Sequence, residues 1–200
     1  MSAAEPTGPR GALLARAVDW FAVHGVGDTS LRGLAAGLGS SHRMLLYHFG
    51  SREGLLAEVV AEVWRQHRLA FDDLLDGDDA GGHPAGAAWR FWTRLADRVE
   101  VAALYSELSA AAMQGHAWAA GPVRRQREEW ARLLATFFER LGNPPEESVL
   151  LARTSMVMTR GTLEMLALDG DREAADAVMA GFLDTLRRGP SGAGAVEEGR

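Results

Sequence analysis

Arg43, Met44, Tyr47 and His48 stand within one eight-residue stretch, His42 to Phe49. On a helix that spacing gathers a guanidinium, a thioether, a phenol and an imidazole on one side. Three of the four donate hydrogen bonds to phosphate oxygens or base edges, and an α-helix fits the DNA major groove. His42, Leu45, Leu46 and Phe49 fall on the other side, which is expected to pack while the first is presented. This is the chemistry of a helix that reads duplex DNA, with Arg43 suited to a bidentate contact with guanine.

Such a helix needs others to hold it. Upstream, Leu31, Leu34, Ala35 and Leu38 recur at i, i+3, i+4 and i+7, one apolar stripe on a helix. Thr29 or Ser30 can cap that helix, and Ser40 or Ser41 can cap the next, because a hydroxyl accepts from an orphan N–H of the first turn. Gly39 suits the left-handed stop between them. Ala35 is small enough for two helices to cross steeply there. Gly33 and Gly37 weaken the first of the pair. Before them, Leu14, Ala17, Val18 and Phe21 form the buried face of a helix over 11–24, with Trp20 off that stripe, and Gly25-Val26-Gly27-Asp28 makes a turn. Ser51-Arg52-Glu53-Gly54 resembles a capping arrangement for a long fourth helix running to about Leu75.

On these residues, together with Ala12, Leu13, His24, Gly25, the Thr29-Ser30-Leu31-Arg32 start, the Leu45-Leu46-Tyr47-His48-Phe49 run and Leu55-Leu56, residues 10 to 56 resemble the DNA-binding domain of the tetracycline-repressor (TetR) family of bacterial regulators. The resemblance implies that Thr29, Ser30, Arg32, Ser41, His42, Arg43, Met44, Tyr47, His48 and Arg52 face DNA. Tyr47, His48, Thr29 and Arg52 would chiefly grip phosphates. Many relatives have Gly-Thr-Leu-Tyr where this chain has Arg43-Met44-Leu45-Leu46, so an operator sequence cannot be borrowed. Arg10, where the family often has a basic DNA contact, is read here as a solvated surface residue.

The net charge of −6 is unevenly spread. Residues 1–52 carry five Arg against Glu5, Asp19 and Asp28, a balance of +2, and the remainder carries −8. An acidic body repels phosphate and leaves the N-terminal part as the favourable docking face. With no cysteine there is no disulfide or thiol chemistry. No uncharged apolar run is long enough to span a membrane, and Arg16 and Asp19 interrupt the N-terminal apolar run, against a signal peptide. A cytoplasmic location is expected.

The organisation expected is all-α: a mobile arm over 1–9, a three-helix helix-turn-helix domain over 10–55, a helical effector-binding and dimerisation domain over 56–188, and a disordered tail over 189–200, about nine helices in all. The later helices are expected near 84–100, 101–116, 118–141, 145–168 and 172–188. The acidic stretch from Asp76 to Pro84 reads as a solvated linker, because Ala87 stands where a calcium loop needs a bidentate glutamate. Trp89, Trp92, Leu95, Tyr105, Leu108, Met113, Trp118, Trp130, Phe137 and Met156 cluster in the middle helices, either as core or as the wall of a cavity. The family resemblance raises the cavity reading, with Glu107, His116, Thr159 and Arg160 as polar anchors.

Ala174, Ala177, Val178, Gly181, Phe182 and Thr185 form a stripe of small and apolar residues, with Val149, Leu150, Arg153, Val157 and Arg160 a possible second one. In the family the last two helices pair with their copies in a dimer, and two recognition helices about 34 Å apart read a palindrome. A ligand-responsive repressor, binding a palindromic double-stranded DNA operator as a homodimer and released by a small-molecule effector, is therefore the leading expectation. No enzyme motif appears, and the six scattered histidines have no metal-ligand spacing, so neither catalysis, cofactor nor metal is expected. The rival expectation is a helical protein-interaction or small-molecule-binding module without DNA binding. Net acidity and the aromatic body suggest an apolar or cationic effector.

Overall fold

The computed structural model describes residues 8–27, 29–76 and 84–188. Among them are nine α-helices and no strand: α1 (Pro9–His24), α2 (Leu31–Gly37), α3 (His42–Phe49), α4 (Arg52–Asp76), α5 (Pro84–Ala96), α6 (Val99–Met113), α7 (Ala117–Arg140), α8 (Pro145–Asp169) and α9 (Arg172–Arg188). The all-α expectation holds. Of the linker expected from Asp76 to Pro84, Asp76 ends α4 and Pro84 starts α5, and of the arm expected over 1–9, Pro9 starts α1; the rest of the linker, the arm up to residue 7 and the tail over 189–200 lie outside the described residues.

The helix starts follow local chemistry. Ser30 Oγ accepts from Gly33 N at 3.2 Å, Ser41 Oγ from Met44 N at 3.2 Å and Ser51 Oγ from Gly54 N at 3.0 Å. Each hydroxyl satisfies an amide that has no partner inside its helix. Between α2 and α3, Gly39 takes φ 59° and Ser40 N–H returns to the carbonyl of Ala35 at 2.9 Å, which turns the chain within a few residues.

The boundary between α5 and α6 differs from the sequence reading. The break expected near residue 100 falls at Asp97 and Arg98 instead. Tertiary ion pairs hold that corner: Arg98 Nη2 lies 2.9 Å from Asp19 on α1, and Asp97 lies 2.8 Å from Arg172 Nη1 at the start of α9. Neither pairing has a local sequence signal.

Phe21, Leu34, Ala35, Leu45, Leu55 and Val59 share a core that also takes in Leu104 and Leu108 of α6. The buried Ala35 fits the small side chain expected at the α2–α3 crossing. A second cluster joins α5, α8 and α9 through Trp92, Leu163 and Met179, and a third joins α4, α7 and α8 through Phe71, Phe138 and Ala152. The 25 residues of α4, on the order of 37 Å at 1.5 Å per residue, reach from the first core to the third. No helix among the described residues is long and apolar enough to cross a membrane.

Candidate nucleic-acid interface and internal cavity

On α3 only Leu45 and Phe49 are buried. Leu46, expected on the packing side, is exposed, because eight residues lying on α2 and α4 have room for a narrow contact stripe only. Arg43, Met44 and Tyr47 are exposed as expected from their spacing, Tyr47 at 79%. Arg43 makes no hydrogen bond or ion pair with another described residue. Ser30, Arg32 and Ser41 are exposed beside them, while Thr29 and His42 are half-buried. His48 is half-buried too, its ring edge-on to Tyr47 at 5.0 Å and to Phe49 at 6.1 Å, with Nε2 buried and unpartnered.

Two arginines near this surface are engaged within the fold. Arg52 donates from Nε to Thr29 O at 3.0 Å and from Nη2 to Val26 O at 2.6 Å, with Gly27 O also in contact. It clasps the α1–α2 connection to the start of α4, a role its sequence position did not announce. Arg10, read as solvated, pairs with Glu58 at 2.9 Å and sits 5.3 Å above the Phe49 ring. Its aliphatic and guanidinium surface covers the end of α3.

The glutamate considered as a polar anchor lies elsewhere than in the cavity. Glu107 of α6 turns toward the first helices, where Oε2 accepts from Val26 N at 2.5 Å. Gly25 leaves room for it, since a Cβ there would stand 2.8 Å from Oε1.

Between α4, α5, α6, α7, α8 and α9 lies a cavity of about 1450 Å³. Trp92, Leu95, Tyr105, Met113, Trp130, Phe137, Met156, Thr159 and Arg160 line it. Three expected lining residues do not. Leu108 is fully buried in the core shared with α1, Trp118 packs against that same core, and Trp89 is solvent-facing. A helix's period tells which residues share a side but not which neighbour that side meets, and α6 presents Leu108 to α1 and Tyr105 to the cavity. Sequence reading missed Trp64, His67 and Phe71 of α4 and Phe91 of α5, all on the wall. Their helical spacing on α4 was the available signal, overshadowed by its role as a connector.

His67 is held neutral there. Burial first, and the nearby Arg98 charge second, lower its pKa to about 4. The unfolded ring titrates near 6.5, so between roughly pH 6.5 and 4 the unfolded chain binds more protons. Stability from this group is therefore full above the upper value and is lost as pH falls through the window. His67→Gln is expected to flatten the fall of thermal midpoint between pH 6.5 and 4; an unchanged pH slope would sink this account.

On α9, Ala174, Ala177, Val178, Gly181 and Thr185 are exposed, as are Val149, Leu150, Arg153 and Val157 on α8. Phe182 departs from that stripe and packs inward beside Trp92 and Met179. A Cβ at Gly181 would meet nothing within 4 Å, so no helix among the described residues needs the glycine there.

Residues 13–59 match the family model described as "Bacterial regulatory proteins, tetR family". No curated protein matches the chain in sequence. In fold the chain is similar to a TetR transcriptional regulator from Legionella pneumophila, at 17% identity over 90% of this chain and 98% of that one, with a TM-score of 0.75. It is similar to GusR of Salmonella enterica at 19% identity, covering 90% and 97%, with a TM-score of 0.71. A transcriptional regulator from Rhodococcus sp. Rha1 aligns at 18% identity over 91% and 97%, with a TM-score of 0.71.

Proposed function

We infer that this chain, a member of the TetR family of bacterial regulatory proteins, is a cytoplasmic, ligand-responsive repressor that binds a palindromic operator as a homodimer. The family is one of regulators rather than enzymes. The observation that carries the reading is α3 itself: Leu45 and Phe49 lock it into the core, Ser41 caps its start, and Arg43 and Tyr47 are exposed and make no hydrogen bond with another described residue. Residues 10–55 would read DNA, and residues 56–188 would hold the effector and the dimer contact. The exposed small and apolar residues of α8 and α9 support a dimer, because an unpartnered apolar patch rimmed by polar groups is the usual sign of an interface.

Binding selection of the purified protein from random duplexes, at two salt concentrations, tests this. A recovered palindrome, with affinity falling steeply as salt rises, is the expected result. Failure to enrich any sequence would favour the interaction module without DNA binding.

For an effector to release DNA it must bind the incompetent arrangement more tightly, and a coupling of roughly 1–3 kcal/mol changes affinity about 5- to 150-fold. Two helices connect the cavity to the reading surface. Helix α4 lines it with Trp64, His67 and Phe71 and clasps the α1–α2 connection with Arg52. Helix α6 lines it with Tyr105 and Ser109 and holds the same connection with Glu107. Glu107→Gln replaces a charged acceptor by a neutral one, a loss of about 1 kcal/mol. The Val26 amide is then expected to exchange with solvent about fivefold faster, measured by hydrogen exchange. Unaltered protection at Val26 would remove Glu107 from the coupling.

A further inference from the structure

The wall of the cavity is an unbroken run of rings. Tyr105 meets Trp64 edge-on at 5.1 Å, Trp64 meets Trp130 at 6.0 Å, and Trp130 stacks on Phe91 at 5.7 Å and meets Phe71 at 5.2 Å. Phe137 closes on Phe71 at 5.8 Å. Rings contributed by α4, α5, α6 and α7 thus form one rigid surface, which favours flat π-systems over flexible chains. A planar guest gains offset-stacked and edge contacts with little loss of its own rotational freedom.

The charged groups around the cavity are mostly basic. Arg160 stands with its guanidinium carbon 5.4 Å from the centre of the Tyr105 ring, and no carboxylate of the described residues bridges to it. Around the cavity Arg124, Arg127, Arg153, Arg160 and Arg187 outnumber the two acids, Glu128 and Glu164, although Arg187 is bound to Asp184. The acidity of the whole chain therefore does not extend to this lining.

Resting on the effector reading of this cavity, we propose that its ligand class is a planar, multi-ring aromatic anion, a carboxylate or phenolate. Its rings lie along Trp64, Phe91 and Trp130, and its charge meets Arg160. An apolar or cationic guest, suggested by bulk composition, leaves Arg160 without a counter-charge.

A matched series of small probes tests this by calorimetry on the full chain without DNA: anthracene-9-carboxylate, 9-(hydroxymethyl)anthracene, 9-(aminomethyl)anthracene and laurate. The carboxylate is expected to bind at least tenfold tighter than the ammonium compound and than laurate, with the alcohol between. Arg160→Gln should abolish the preference of carboxylate over alcohol, and Arg160→Lys should restore part of it. Equal or tighter binding of the ammonium compound or laurate, or no binding of the carboxylate, overturns the proposal, as does an undiminished carboxylate preference in Arg160→Gln. The operator selection is run separately. Probe binding without DNA binding keeps this ligand class and removes the repressor; DNA binding without probe binding does the reverse.

Discussion

Arg43→Ala is expected to reduce discrimination between the selected operator and one substituted at the contacted base pair by about 5- to 150-fold. This corresponds to roughly 1–3 kcal/mol for a bidentate arginine contact. The physical basis is that Arg43 is exposed on α3 and spends none of its donors inside the protein, unlike Arg52 and Arg10, whose guanidiniums are occupied. Non-specific affinity should fall little, since a single phosphate-type charge contributes only about 0.9 to the salt slope. Tyr47→Phe should instead weaken all duplexes alike, because its hydroxyl can hold a phosphate but has no fixed fork for a base. Competition binding with paired operator variants separates the two. Full operator selectivity in Arg43→Ala would refute the assignment.

The second large effect concerns the joint behind α3. A Cβ built at Gly54 would stand 2.2 Å from the carbonyl oxygen of Phe49, which is backbone and cannot rotate away. That oxygen also accepts from Ser51 N at 2.8 Å, so the end of α3 and the start of α4 are locked over a few residues. Gly54→Ala, which in an ordinary helix interior would stabilise by up to about 1 kcal/mol, is here expected to cost about 3 kcal/mol through overpacking. Thermal unfolding should show the loss, and operator affinity should fall with it because α3 must shift. Gly161→Ala, where an added Cβ meets nothing within 4 Å, serves as the control and should not destabilise. A Gly54→Ala protein as stable as the parent would show that this joint is compliant.

Much of the architecture was legible before any coordinates because it is encoded locally. Helix periodicity, hydroxyl caps and glycine stops depend on residues within a turn or two of one another, so Ser30, Gly39, Ser41 and Ser51 mark boundaries wherever the chain goes. The exposed side of α3 was legible for the same reason, through Arg43, Met44 and Tyr47. What local pattern could not supply is which surfaces meet. Trp92 and Trp130 have the same residue type and both line the cavity, yet Trp118 packs behind it and Trp89 faces solvent. Each helix's neighbours decide this.

The same distinction governs charge. The sequence by itself determined an all-α chain with a helix-turn-helix near its start, and it determined that the N-terminal residues are basic relative to the rest. Only the tertiary structure decided that Arg52 and Glu107 clasp one turn, that Gly54 is a contact point rather than a flaw in a helix, and that arginines gather around the cavity of an acidic protein. Those facts depend on pairs separated by up to 81 positions, such as Val26 and Glu107, which no spacing along the chain can reveal.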